Sequence, residues 1–158
     1  MTTDDRLIPL DPTVRAGLYK DFSEVPPHHR LQNHISRFES RDVWSEYVTE
    51  AGLLPDDVSD NHRQRVERTE QRWKSYTGER NTHHALCQPV DAADFATHLL
   101  NEHDVSRIVA ARYWGELERF YRWMFTHTEY PHRYNPFAMA AISNDTASEL
   151  WHAIMDRS

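Results

Sequence analysis

The 158-residue chain reads as an all-α protein: a bundle of about five or six helices behind an extended N-terminal arm, residues 1–37. Three observations lead there. Apolar residues recur at spacings of three and four in every strongly patterned segment, the period of a helix rather than the alternation of a strand. Capping residues, helix-stopping glycines and prolines bracket those segments in the right order. No segment shows strand alternation of comparable quality, and there is no internal repeat or low-complexity tract.

Taken in order, the arm is punctuated by Pro9, Pro12, Pro26 and Pro27 and has poor periodicity, with room for a short helix at 13–20. The helical core spans residues 38–143. Its first helix begins at Ser40 as N-cap, with Asp42 in the first turn, and buries Val43, Trp44, Tyr47 and Val48; Gly52 then Pro55 end it. The second, roughly 60–77, is capped by Ser59 or Asp60 and stopped by Gly78, with Val66, Thr69, Trp73 and Tyr76 on one side. Asp91 caps the third, about 92–102, whose apolar face is Phe95, Ala96, Leu99 and Leu100. The fourth, about 105–127, is the spine. One apolar line runs Val109, Tyr113, Leu117, Phe120 and Met124, and another Ala110, Trp114, Tyr121 and Phe125; a helix apolar on two sides packs from two directions. Asn135 and Pro136 open a fifth helix. Asn144 or Asp145 opens the C-terminal helix of segment 144–158, with the stripe Leu150, Trp151, Ile154 and Met155.

Composition narrows the function classes. A chain of this length buries about two thirds of its unfolded surface, enough for a true core. Five Trp, seven Tyr and six Phe supply that core, while the mean hydropathy of -0.82 leaves the surface highly polar. No apolar run approaches the roughly 18 residues of a membrane span, and the start MTTDDRLIPLDP lacks the basic and apolar segments of a signal peptide. With a single cysteine, Cys87, an internal disulfide is excluded. A cytoplasmic protein is expected. The net charge is -7, but the bases are 16 Arg against only Lys20 and Lys74, a balance that suits concentrated salt. Charge is also uneven: residues 61–80 carry +3 and residues 105–125 carry +2, both in helices. An acidic chain with that pattern can still present one basic face.

Catalytic signatures are missing. The four glycines, at 17, 52, 78 and 115, form no phosphate-binding loop, and neither G-x-S-x-G nor H-E-x-x-H occurs. Among 11 histidines, His83-His84 with Cys87 and the helical pair Asp94 and His98 are the tightest groups. Neither has the second strong ligand pair a metal site needs, so no metal and no cofactor is expected. His28, His29 and His34 in the arm read as solvated loop residues. A pocket bringing Asp94 and His98 together with His83 or His84 would reopen the question of an enzyme.

The pattern Tyr113-Trp114, Leu117, Phe120-Tyr121-Arg122-Trp123, then Asn135-Pro136, resembles the N-terminal core-binding domain of the tyrosine recombinase (phage integrase) family. Pro131-His132-Arg133-Tyr134-Asn135-Pro136 followed by residues 137–141 is similar to integrase-like proteins of haloarchaea and their plasmids and viruses. The resemblance covers roughly residues 40–142. It implies a SAM-like orthogonal bundle that closes over double-stranded DNA and makes mostly backbone contacts. In that family the tyrosine nucleophile, the arginines and the His-x-x-Arg motif lie in a separate C-terminal domain, and this chain ends soon after the matching boundary. The strings His34 to Arg37 and His62 to Arg65 come before the place of that C-terminal domain, so the order is wrong and they read as coincidence; Tyr113 and Tyr121 fall on core stripes. No catalytic residue and no enzyme activity is therefore expected.

What the resemblance leaves is DNA binding, as an accessory or regulator of integration and recombination. The residues carried over are Arg63, Arg65, Arg68, Arg72 and Lys74 on the second helix and Arg107, Arg112, Arg119 and Arg122 on the fourth. The competing account of each arginine is an exposed i, i+4 pair, as in Arg63–Glu67, Arg112–Glu116 and Glu118–Arg122, worth about 0.3–0.5 kcal/mol. The alternative function is a protein-interaction module that docks on a recombinase or another partner, or self-associates through the C-terminal helix.

Overall fold

The computed structural model describes residues 11–102 and 105–155. Residues 1–10 of the arm, Pro9 among them, and residues 156–158 of the C-terminal segment lie outside the described residues. Among the described residues eight α-helices follow one another: α1 (Pro12–Arg15), α2 (Ile35–Phe38), α3 (Val43–Glu50), α4 (Asp60–Glu79), α5 (Pro89–Leu100), α6 (Arg107–Phe125), α7 (Pro136–Ser143) and α8 (Asp145–Met155). Among the described residues there is no strand, only an isolated antiparallel bridge between Gly17 and Tyr134. No described helix is long and apolar enough to cross a membrane.

The spine is α6. Ser106 caps it, accepting from the Val109 amide at 3.2 Å. The two expected stripes bury as a continuous set, from Ala110 and Tyr113 through Trp114, Leu117, Phe120 and Tyr121 to Met124, with Val109 and Phe125 half-buried at its ends. On one flank Phe120 meets Trp44 and Tyr47 of α3 at ring separations of 5.0 and 5.2 Å. On the other, Phe137 of α7 sits against Trp114, Tyr121 and Trp73 at 5.1–5.4 Å. Two of the indoles in this cluster find carbonyls: the Trp73 indole donates to the His84 carbonyl at 2.7 Å and the Trp114 indole to the Ala92 carbonyl at 3.0 Å. Aromatic rings so placed contribute both area and edge-to-face contact.

Three helix boundaries differ from those read in the sequence, each for a local reason. Asp42, not Ser40, caps α3, accepting from the Ser45 amide at 3.1 Å. Residues 38–41 are instead the turn that closes α2, with Arg41 N–H on the Phe38 carbonyl. Gly78 lies inside α4; the chain leaves at Asn81, φ +56°, where the Thr82 amide reaches back to the Thr77 carbonyl, a Schellman closure with Asn in the glycine position. Pro89 supplies N1 of α5, so Asp91 is not its cap but its third residue, accepting from the Gln88 amide at 2.8 Å. By contrast Ser59, Gly52 (φ +66°) and Asn135 occupy the cap positions expected of them.

The arm is the largest departure. From residue 11 it is not extended but a succession of single turns: α1, three 3-10 turns at Phe22–Glu24, Pro27–His29 and Leu31–His34, then α2. Its apolar residues are too widely spaced to form one helical stripe, yet Ala16, Val25, Leu31 and Phe38 are all buried. Burying a side chain the size of Leu31 or Phe38 contributes about 1.5–3 kcal/mol, which outweighs the irregular backbone. Two backbone bonds tie the arm to the turn before α7, Leu18 N–H to the Arg133 carbonyl (2.9 Å) and Asn135 N–H to the Ala16 carbonyl (2.7 Å). Gly17 makes this possible. Its φ is +101°, and a Cβ there would stand 2.8 Å from the Arg133 carbonyl oxygen and 2.9 Å from the Tyr134 Cα, inside any tolerable contact.

The C-terminal helix belongs to the same core. α8 packs on α5, α6 and α7, and Leu150 and Trp151 are fully buried. The apolar stripe that suggested self-association is therefore largely consumed within the monomer.

Candidate nucleic-acid interface

The two basic helices lie side by side. Arg65 and Thr69 of α4 meet Glu116 of α6, and one turn on Arg72 lies over the Tyr113 ring at 5.1 Å, so α4 and α6 run antiparallel. α8 flanks α6 on the far side in the same direction, with Glu149 beside Arg107 and Ile154 against Gly115. Gly115 permits that approach: a Cβ there would come within 2.6 Å of Ile154 Cδ1. Between the three helices is an open cleft of about 440 Å³. Ile108, Ala111, Gly115, Ala153 and Ile154 make its floor, and Arg65, Arg107, Arg112 and Arg119 stand around Glu116.

Each guanidinium is held differently. Arg65 donates through Nε to Glu116 at 3.2 Å and through a terminal nitrogen to His62 Nδ1 at 3.0 Å. The other nitrogen of that ring, Nε2, faces the Leu53 carbonyl at 2.8 Å. A carbonyl can only accept, so Nε2 carries the proton and Nδ1 is free to accept from Arg65. Glu116 also accepts from the Thr69 hydroxyl, so its charge is shared between two donors on α4. Arg107 pairs with Glu149 at 2.8 Å, but both side chains are more than half exposed and the pair holds weakly. Arg112 and Arg119 are exposed and form no ion pair among the described residues. The expected Arg112–Glu116 pair is absent there because Glu116 turns to α4.

The remaining sequence candidates are not part of this cleft. Lys74 is clamped between Asp42 (2.8 Å) and Glu70 (2.6 Å) on the α3 side of α4. Arg72 covers Tyr113. Arg63 and Arg68 lie on α4 outside the lining, and neither is ion-paired among the described residues; Arg63–Glu67 does not form. Arg122 does pair with Glu118, as expected, but not as an exposed couple: Glu118 is 1 % exposed and also accepts from the Asn135 side-chain amide at 3.0 Å. This is a structural bond between α6 and the cap of α7.

Sequence reading missed the floor and His62. The floor was readable in part, since Arg107, Ala111, Gly115 and Arg119 recur every four residues and so share one face. That α8 would form the third wall had no local signature.

Comparison with protein-family models, with curated proteins and with solved structures finds no match to this chain.

His84, His132 and Cys87 are engaged in the packing of the bundle. His84 accepts the first two amides of α3, Val43 at 3.1 Å and Trp44 at 3.2 Å, from a loop some forty residues on. Burial, then the charges of His83 and Lys74, push its imidazole down to about 3. His132 is buried against the Ala85 carbonyl at 2.8 Å, and burial pushes it down to about 4. Cys87 is fully buried, which drives its thiol well above the ordinary value. Asp94 pairs with Arg80 and His98 with Glu102, away from the cleft that holds His83 and His84. Among the described residues no group of three or more His, Cys, Asp or Glu could hold a metal.

A pH dependence follows from the two most strongly depressed histidines, His84 and His132. Both are neutral in the fold and protonate in the unfolded chain below about 6.5. Their contribution is complete above that value and is lost as pH falls toward 4 and 3. Together they are expected to remove roughly 2–3 kcal/mol of stability between about pH 7.5 and 5.5. Urea unfolding at the two pH values measures this, and His132→Gln should remove about half of that loss. An unchanged pH dependence in the variant would show that His132 is not held neutral.

Proposed function

We propose that this chain is a DNA-binding protein that grips the backbone of double-stranded DNA through the arginine-rimmed cleft of α4, α6 and α8. We read it as a relative of the SAM-like core-binding domains of tyrosine recombinases, working in the cytoplasm as an accessory or regulator of integration and recombination. The observation that carries the reading is the convergence of Arg65, Arg107, Arg112 and Arg119, from two helices some forty residues apart in sequence, on one concave surface of an otherwise acidic chain. Arginine's planar fork suits phosphate oxygens, and Arg107 begins α6, where the helix dipole adds to the attraction.

The role is binding rather than strand cleavage. Tyr121 is fully buried, its hydroxyl donating to the His84 carbonyl at 2.7 Å and accepting from the Cys87 amide at 3.0 Å. Tyr113 is buried beneath Arg72. Neither hydroxyl is placed to attack a phosphate.

Fluorescence anisotropy with a labelled duplex tests the proposal. Affinity should fall steeply with salt, with a log–log slope of about -3 to -4 if each cleft arginine neutralises a phosphate. A flat response with the protein still folded, checked by circular dichroism in the same buffers, would remove DNA binding. A second reading draws on the cleft's floor, where Ile108 is 51 % exposed: a partner helix with acidic and apolar residues, from a recombinase or another protein, could dock there. Binding to such a partner but not to duplex would favour it.

A further inference from the structure

A second basic concavity, about 270 Å³, lies where the turns of the N-terminal segment meet the loop between α6 and α7. His28 and His29 come from one 3-10 turn, His34 from the next, Arg37 from α2 and Arg133 from the loop. Among the described residues no carboxylate lines it. His34 and Arg37, three residues apart across continuous helical turns, both face this pocket, so the pairing set aside as coincidence has a geometric consequence. The His28 and His29 rings lie 4.2 Å apart, and His29 Nδ1 is 2.7 Å from the Tyr19 hydroxyl. His34 Nε2 donates to the His28 carbonyl at 3.0 Å, which fixes its ring.

We propose that this pocket binds a phosphate-type oxyanion, and that it does so when its imidazoles carry protons. Two guanidinium groups and three imidazoles converge with no counter-charge among the described lining residues, so the full positive set favours an anion among them. Glu46 approaches the wall through the Tyr130 hydroxyl at 2.7 Å, but it is already paired with Arg41 at 2.6 Å. Partial burial and then His28, Arg133 and His34 hold the His29 imidazole below its ordinary value. Anion and protons therefore promote each other's binding. An oxyanion with several acceptor oxygens, doubly charged when free and inorganic or singly charged in a nucleic-acid backbone, fits this chemistry.

Histidine-selective NMR tests it. Sulfate is a suitable probe because its charge stays constant across about pH 5–8, the range in which imidazoles titrate. Titrated against chloride at equal ionic strength, sulfate should saturably shift the ring signals of His28, His29 and His34, with affinity about tenfold or more higher near pH 5.5 than near 7.5. His84 and His132 should not move, which also reports that the fold is intact. Arg37→Gln with Arg133→Gln should abolish saturation. The same signals moving with a short duplex would make the pocket a backbone-phosphate site. Movement with sulfate and inorganic phosphate alone would make it a site for a small free oxyanion. Shifts no larger than chloride causes, or unchanged in the double variant, would overturn the proposal. The sulfate readout does not depend on duplex binding, so failure of the cleft reading is separately visible.

Discussion

Replacing Arg65, Arg112 and Arg119 together by glutamine is expected to lower affinity for duplex DNA by about two to three orders of magnitude near 0.1 M salt, and to flatten the log–log salt slope by about three. The magnitude follows from counterion release: each neutralised phosphate contributes about 0.9 to the slope, or nearly tenfold in affinity for each tenfold dilution of salt. Arg112 and Arg119 are the open charges of the cleft, and Arg65 is the one presented by α4. Lys74→Gln, from the same basic helix, should leave both quantities unchanged, since its ammonium already lies between Asp42 and Glu70. Anisotropy titrations of the two variants at several salt concentrations make the comparison, with thermal melts to show that each is folded. A triple variant that binds like the wild type would place the interface elsewhere.

Glu118→Ala should cost about 3–5 kcal/mol of stability and lower Tm by about 6–20 °C for a chain of this size. The carboxylate is buried in α6, holds both Arg122 and the Asn135 amide, and so joins the spine to the cap of α7. Its loss strands a partly buried guanidinium and a fully buried amide without their shared acceptor. Because Arg122 retains some exposure, water can recover part of that loss, which favours the lower half of the range. Glu118→Gln keeps an acceptor in place and should lose only about 1–2 kcal/mol. Urea unfolding of the three proteins separates the cases. Equal stability of the Ala and Gln variants would show that the network is not what holds α7 to α6.

The sequence already showed that Glu118 and Arg122 are four apart, but treated them as a surface pair. Burial of one partner changes the energy several-fold, and the buried carboxylate's second donor is Asn135, seventeen residues on. The same limitation explains α3. Ser40 and Asp42 are both good caps, and a distant ring, His84, is what satisfies the first amides of the helix that starts at Val43. Gly78 was a reasonable stop, yet a glycine inside a helix is only a local cost of about 1 kcal/mol, and the closing bonds at Asn81 and Thr82 carry α4 past it.

Helical period, the caps Ser59, Asn135 and the Gly52 exit, and the two-sided burial of α6 were readable from the chain, because each rests on interactions within about four residues. So was the clustering of arginine on two helices. Which of those arginines share a surface was a matter of tertiary structure alone. Arg65 reaches the cleft because α4 packs antiparallel to α6, Lys74 does not because it lies on the α3 side, and α8 supplies the third wall and part of the floor. The arm shows the same division most plainly. Its prolines and irregular spacing describe a segment with no helix of its own, and that description is correct locally. Its order comes from burying Ala16, Val25, Leu31 and Phe38 against residues about a hundred positions away. Hydrophobic burial is non-directional and ignores distance along the chain.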